Sequence, residues 1–486
     1  MKNIKILLLL ATLTVFACTE EFDEINTNPN APVAVPAGLL LPRIQSSMIN
    51  QSLGDAWGIG NIVIQQTAKN QFVNEDRYLW GEINGVWNAV YGNMRDLQIV
   101  IDQAEANGEQ NYKGIALVMK SWMFSLVTDA YGDVPYSEAT QGSEGINLPR
   151  YDEQEKIYEG ILADLATANQ ILGTTGEVPA GDLIFGGKVN AWKKLANALR
   201  IRALMRISAK KNVSTDLQAI VNNPTQYPVF ESDAESAVYK FLSASPDQFP
   251  LHTTRIGSFN EFRASKTMMD QLQAFNDPRL LVFFRPTPDT EGSATPEYVG
   301  IPNGMSDVDA LTYNGGPQGQ SRISRLYFED AVNSSGLQVA KGVIMTYAEL
   351  QFLLAEAAEK GLISGSAATY YQNGIKGSFD FFRTELPADY LTREGVALTG
   401  TQAEKLEKIG IQKWISLFYQ GLEAWFDWRR TGFPKINPSV TNQNDNRIPV
   451  RFIYPIIEQS LNDANRAEAV SRMGGDDINS KMWYLK

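Results

Sequence analysis

Thr346-Tyr347-Ala348-Glu349-Leu350-Gln351-Phe352-Leu353-Leu354-Ala355-Glu356-Ala357 is followed, after the break Gly361-Leu362-Ile363-Ser364-Gly365, by a second stretch holding Tyr370, Tyr371, Ile375 and Phe379. In the first stretch Tyr347, Leu350, Leu353, Leu354, Ala357 and Ala358 recur at three- and four-residue spacing, with Glu349, Glu356 and Lys360 off that stripe. That is the period of an amphipathic helix. The unit from Thr346 to Phe379 spans 34 residues, the length of a tetratricopeptide helix pair. A pair of helices is therefore expected over about 346–383.

The same period extends outward from this unit. Leu39 to Leu53, Trp80 to Ala106, Tyr112 to Tyr131, Asp152 to Leu172, Lys188 to Lys210 and Gln402 to Trp428 all carry it, and Asn107-Gly108 and Gly173-Thr174-Thr175-Gly176 separate neighbours. The expected fold is mainly α: tetratricopeptide-like helix pairs of irregular length forming a scaffold. Residues from about 225 to 340 differ, because prolines at 224, 228, 246, 250, 278, 286, 288, 296, 302 and 317 interrupt any helix. They read as a loop-rich insertion with one short helix near Ser265 to Phe275. Residues 37–486 are expected to form one domain around this scaffold.

At the start of the chain, the run from Ile6 to Val15 is apolar, preceded by Lys2 and Lys5 and followed by Phe16-Ala17-Cys18, the single cysteine among 486 residues. A ten-residue helix reaches about 15 Å, half the hydrocarbon thickness of a bilayer, so the run fits a cleavable signal better than a membrane span. Residues 1–17 are expected to be a lipoprotein signal, Cys18 the lipidated residue, and 18–36, acidic and then rich in Asn and Pro, a tether. Once Cys18 carries lipid no thiol is left for disulfides, CxxC redox chemistry or a thiolate metal site. His252 is the single histidine, which leaves no HExxH and no imidazole-rich metal site. No metal and no cofactor is expected. The formal charge is −12, or −14 without Lys2 and Lys5; such an excess repels phosphate backbones, so nucleic acid is not an expected partner. No GxxxxGK[ST] loop occurs.

Several strings together resemble the SusD/RagB-like outer-membrane lipoproteins, in particular the second SusD-like subgroup. They are Phe22-Asp23-Glu24-Ile25-Asn26-Thr27-Asn28-Pro29-Asn30, Tyr131-Gly132-Asp133-Val134-Pro135-Tyr136-Ser137-Glu138-Ala139, the 346–357 stretch, Glu423-Ala424-Trp425-Phe426-Asp427-Trp428-Arg429-Arg430-Thr431-Gly432, and Arg447-Ile448-Pro449-Val450-Arg451-Phe452-Ile453-Tyr454-Pro455 with Glu458 and Asn462. The resemblance covers essentially the whole chain after Cys18. It implies a nutrient-capturing, non-catalytic lipoprotein, anchored in the outer membrane and facing the exterior, that sits as a lid on a TonB-dependent, SusC-like transporter. Most members are tied to glycans and some to peptides. The residues themselves suggest structural roles for two of these strings. Tyr131 to Tyr136 ends a helix with a Gly and a Pro, and Trp425, Trp428, Arg429 and Arg430 form a helix-terminal cluster whose arginines pair with carboxylates or cap carbonyls.

A neutral sugar presents C–H faces to aromatic rings and hydroxyls to amides, carboxylates and guanidinium forks. Loop segments mixing those residue types are the candidates: Asn70, Gln71, Asn74, Tyr78 and Trp80 in the first half, and Phe259, Asn260, Arg263, Tyr298, Tyr313 and Arg322 in the insertion. The resemblance places the family's ligand surface near the first of these groups. Trp87, Trp122 and Trp192 lie on helical stripes and read as core. A peptide ligand would use the same loops. A helical glycoside hydrolase is the competing enzyme reading, since two carboxylates suffice for that chemistry, and a purely structural surface lipoprotein is the third.

Overall fold

The computed structural model describes residues 35–245, 247–253, 258–328 and 339–486. The signal stretch, Cys18 and the tether as far as residue 34 lie outside them. Helices dominate: α1 (Ala37–Asp55), α2 (Gly85–Asn107), α3 (Gln110–Tyr131), α4 (Gln154–Ile171), α5 (Val189–Ile207), α6 (Ser214–Asn222), α7 (Lys266–Ala274), α8 (Tyr347–Glu359), α9 (Ala367–Phe381), α10 (Gln402–Ser416), α11 (Glu423–Thr431) and α12 (Asp463–Met473). Strands among the described residues form short antiparallel pairs: β1 (Thr67–Lys69) with β5 (Phe262–Ala264), β2 (Val134–Pro135) with β3 (Tyr151–Asp152), and β4 (Ala237–Tyr239) with β6 (Gly342–Met345).

The pair expected over 346–383 is α8 and α9. Two glycines set its closeness: a Cβ added at Gly374 would meet the Phe352 ring at 2.8 Å, and one at Gly377 the Tyr347 ring at 2.7 Å. Contacts that advance along α8 while retreating along α9 make the pair antiparallel. Helices α3 and α4 repeat the arrangement, with Gly114 against Leu172 and the Tyr158 hydroxyl donating to Asp129 Oδ1 at 2.6 Å. The break at Asn107-Gly108 ends α2 with Gly108 at φ 73°, a left-handed residue at the position where helices use glycine. Trp87, Trp122 and Trp192 are buried as expected.

Three sequence expectations need correction. Helix α2 starts at Gly85, not Trp80, because residues 80–84 form no regular secondary structure. The single helix expected from Gln402 to Trp428 is two, α10 and α11, separated where Tyr419 and Gly421 take φ of 60° and 64°. Helix α8 is not amphipathic: every residue from Ala348 to Ala357 is buried, Glu349 and Glu356 included. In the insertion the short helix appears as α7, with Ser265 Oγ accepting from the Thr267 N–H, and it is joined by short helical turns at Leu280–Phe283 and Asp307–Thr312.

Buried carboxylates on α8 call for buried cations. Arg202 on α5 grips Glu349 through Nε and Nη2, both at 2.6 Å. Arg206, one turn on, pairs with Asp129 at 3.0 Å and Glu423 at 2.5 Å. Arg430 holds Glu356 through two nitrogens at 2.5 and 2.6 Å and Asp427 at 2.8 Å, and Lys413 joins both carboxylates. Arg429 lies 4.2 Å over the Trp425 ring and donates to the Val450 and Asp129 carbonyls. The helix-terminal cluster read from the sequence thus has the contacts expected of it, and it clamps α3, α5, α8, α10 and α11 into one framework under the loops.

Candidate functional site

Strand β1 pairs with β5 in the register Thr67 to Ala264, Ala68 to Arg263 and Lys69 to Phe262. This joins the loop of residues 70–80 to the insertion across almost 200 positions, and the Asn70 N–H extends the ladder by donating to the Glu261 carbonyl at 2.8 Å. The Ile301 N–H donates to the Ala264 carbonyl and the Ala264 N–H to the Ser321 carbonyl. Asn70 Nδ2 donates to Gln320 Oε1 at 3.1 Å, and Gln320 Nε2 donates in turn to the Ala310 and Tyr313 carbonyls. The loop of residues 70–80 and three segments of the insertion therefore converge on one strand pair.

Within this convergence some of the predicted residues are enclosed and bonded to neighbours. Asn70 is buried and makes the ties just given. The hydroxyl of buried Tyr78 accepts from the Ser439 N–H at 3.1 Å. Arg263 is buried, and its Nη1 donates to the Asn260 and Phe262 carbonyls. Burial, with the Arg322 charge beside it, pushes its guanidinium down to about 9. Trp80 donates from Nε1 to the Glu75 carbonyl and sets its ring edge-on to Trp425 and Phe452 at 5.8 and 5.7 Å. Nearby Asp76, which the sequence did not single out, fastens the loop by accepting from the Lys69 N–H at 2.6 Å and Asn303 Nδ2 at 2.5 Å.

Others remain accessible. Gln71, Asn74 and Asn260 are exposed, and Tyr298, Tyr313 and Arg322 are half-buried. Phe259 lies in the helical turn Ser258–Glu261, but its side chain is outside the described residues. Two aromatics went unnoticed in the sequence. Phe72 is 66% exposed at φ 53°. Trp57 is half-buried on a π-helical turn, Ala56–Gly60, with its ring centroid 3.8 Å from Phe262 and 6.1 Å from Tyr419. Such turns are frequent at functional sites. The available signal was the run Gly54-Asp55-Ala56-Trp57-Gly58-Ile59-Gly60, with three glycines inside a helical stretch. Lys69 balances the local charge, pairing with Glu75 at 3.0 Å and Glu261 at 3.7 Å.

The carboxylates of the Tyr131 to Ala139 string, outside these loops, are occupied. Asp133 pairs with Arg472 at 2.8 Å and accepts from the Gln154 N–H, and Glu138 pairs with Arg150 at 2.7 Å. Among the described residues no group of three or more His, Cys, Asp or Glu could hold a metal ion. No described helix is long and apolar enough to cross a membrane.

No protein of curated function matches the chain. Solved structures do. A Bacteroides vulgatus protein described as an outer-membrane nutrient-binding candidate is 26% identical with a TM-score of 0.82, over 93% of this chain and 100% of that one. A SusD homologue from Bacteroides fragilis is 26% identical with a TM-score of 0.79, over 93% and 99%. A chitin-binding protein is 27% identical with a TM-score of 0.75, over 93% and 100%. The family SusD-like_2, described as starch-binding and associating with the outer membrane, matches residues 29–455. That span takes in the helix pair, the insertion and the converging loops alike, and the chain belongs to the SusD-like_2 family.

Proposed function

We propose that the protein is a non-catalytic capture module that binds oligosaccharide on the face built around β1 and β5 and passes it to a SusC-like, TonB-dependent transporter. The observation that carries this reading is the convergence of four loops on one strand pair. It leaves amides and aromatic rings accessible while buried ties hold the backbone in place, the pre-organisation that keeps binding from losing its gain to loop ordering. Asn70, Tyr78, Trp80 and Arg263 act as the frame. Ligand contact falls to Gln71, Asn74, Asn260, Tyr298, Tyr313 and Arg322, joined by Trp57 and Phe72. The family's starch-binding description and the chitin-binding relative favour glycan over peptide as ligand.

Calorimetric titration with maltoheptaose and chitohexaose tests this. Trp57→Ala, Asn74→Ala and Tyr313→Ala are each expected to weaken binding at this face about tenfold or more, with the melting temperature little changed and no shorter product formed. Unchanged affinity in all three folded variants would sink the assignment; tighter binding of peptides at the same loops would favour the peptide reading; product formation would favour the hydrolase.

The anchor belongs to the same proposal. Cys18, outside the described residues, carries the lipid, and the following residues to Pro36 give a reach of at most ~3.5 Å each. In the native host, palmitate labelling is expected to vanish in Cys18→Ala; labelling that persists would contradict the anchor.

A further inference from the structure

Helix α2 and the segment after β2 line an open cavity of about 870 Å³, within the size range of sites that take small ligands, about 300–1,000 Å³. It shares no residue with the loops around β1 and β5. Its walls are built, not incidental. The Tyr91 hydroxyl donates to the Pro135 carbonyl at 2.7 Å, which fixes one ring. Tyr136 packs edge-on to Phe124 at 4.6 Å and donates to Asp164 at 3.4 Å, while Lys120 pairs with Asp164 at 3.0 Å and lies 5.3 Å over the Tyr136 ring. Gln98 donates to Asp102 at 2.7 Å and accepts from the Thr140 hydroxyl at 3.4 Å, which spans the cavity edge. Exposed Arg95 and Glu144 complete the rim.

The chemistry of this lining selects a ligand class. Lys120 is matched by Asp164, which leaves Arg95 against Asp102 and Glu144, too balanced a set to draw a strongly charged ligand. Two half-buried tyrosine rings offer surfaces for C–H faces, and a guanidinium fork, an amide and carboxylates offer planar partners for hydroxyls. We propose that this cavity is a second saccharide site, taking a neutral oligosaccharide independently of the loop face.

Arg95→Ala and Gly142→Tyr probe it without touching the framework. Gly142 is part of the cavity lining and a Cβ there meets nothing within 4 Å, so the added ring has room to obstruct the cavity. Titration of the full-length protein with maltoheptaose and chitohexaose is expected to give two sites per chain for at least one probe. Each cavity variant should weaken one site about tenfold or more and leave the other, while Trp57→Ala and Asn74→Ala do the reverse. Binding lost in the cavity variants but kept in the loop variants sinks the loop reading and upholds this one. A single site untouched by Arg95→Ala and Gly142→Tyr overturns the second site, and so does failure of both probes to bind.

Discussion

Replacing Glu356 by alanine is expected to cost about 3–5 kcal/mol of unfolding free energy, the range for breaking a buried ion pair from one side. Glu356 takes two bonds from Arg430, is 3.3 Å from Lys413, and reaches Lys360 at the edge of the cluster. Burial alone would raise its carboxyl, but the Arg430, Lys413 and Lys360 charges outweigh that and hold it well below the usual carboxylate range. A depressed value means that the stabilisation is present at neutral pH and is lost as pH falls toward that value. Without Glu356, Arg430 and Lys413 keep, among the described residues, only Asp427 as an ion-pair partner between them. Lys360→Ala is the control: its side chain is 35% exposed, and loss of such a pair costs about 1 kcal/mol or less. The double variant Glu356→Met with Arg430→Met should be less destabilised than the sum of its single changes, since apolar replacement of a whole buried pair can be close to neutral. Denaturant midpoints of the parent, the two alanine variants, the two methionine variants and the double variant decide it. Equal small losses for Glu356→Ala and Lys360→Ala would show that the cluster is not what holds α8 to α10 and α11.

That cluster also shows where sequence reading works and where it stops. The pairing of Arg429 and Arg430 with carbonyls and carboxylates was legible because arginines at the end of an aromatic helix have few other uses. The burial of Glu349 and Glu356 was not, because their partners Arg202 and Arg430 lie 147 and 74 residues away, and a charged residue off an apolar stripe reads as solvated. The break between α10 and α11 was hidden for a related reason. Leu417, Phe418 and Leu422 keep the helical apolar spacing, and only the positive φ of Tyr419 and Gly421 ends the helix. At the candidate site, the segment around residues 70–80 and the insertion were singled out by their mix of aromatic, amide and guanidinium side chains, the former by the resemblance as well. Composition could not sort them further: Asn70 tying Gln320 and Asn74 facing solvent are the same side chain, told apart by tertiary partners. Trp57 was passed over because it lies beyond the helix read as ending at Leu53, in a run with no amide or guanidinium beside the ring.

The second large effect is a pH dependence centred on Asp55, two residues before Trp57. Its carboxyl is buried at the end of α1, and the Gln51 amide donates to its Oδ1 at 2.7 Å. Burial raises its pKa from the usual 3.8 to about 7, with the Gln51 hydrogen bond only partly opposing. The folded protein therefore holds this proton where the unfolded chain has released it. The contribution is complete below about pH 4 and is lost as pH rises through 7, a change of about 4 kcal/mol at most. Asp55→Asn keeps the acceptor for Gln51 and cannot ionise. It is expected to match the parent near pH 4 and to exceed it in stability by up to that amount at pH 8. Asp76 is also raised to about 7 by burial, and Glu349 by burial that outweighs Arg202, so the parent's own pH curve mixes several groups. The difference between parent and Asp55→Asn isolates one. Urea unfolding of both proteins at pH 5, 6, 7 and 8 gives that difference directly, and a gap that does not widen with pH would mean that Asp55 is ionised in the fold and is matched by a charge close to the π-helical turn that presents Trp57.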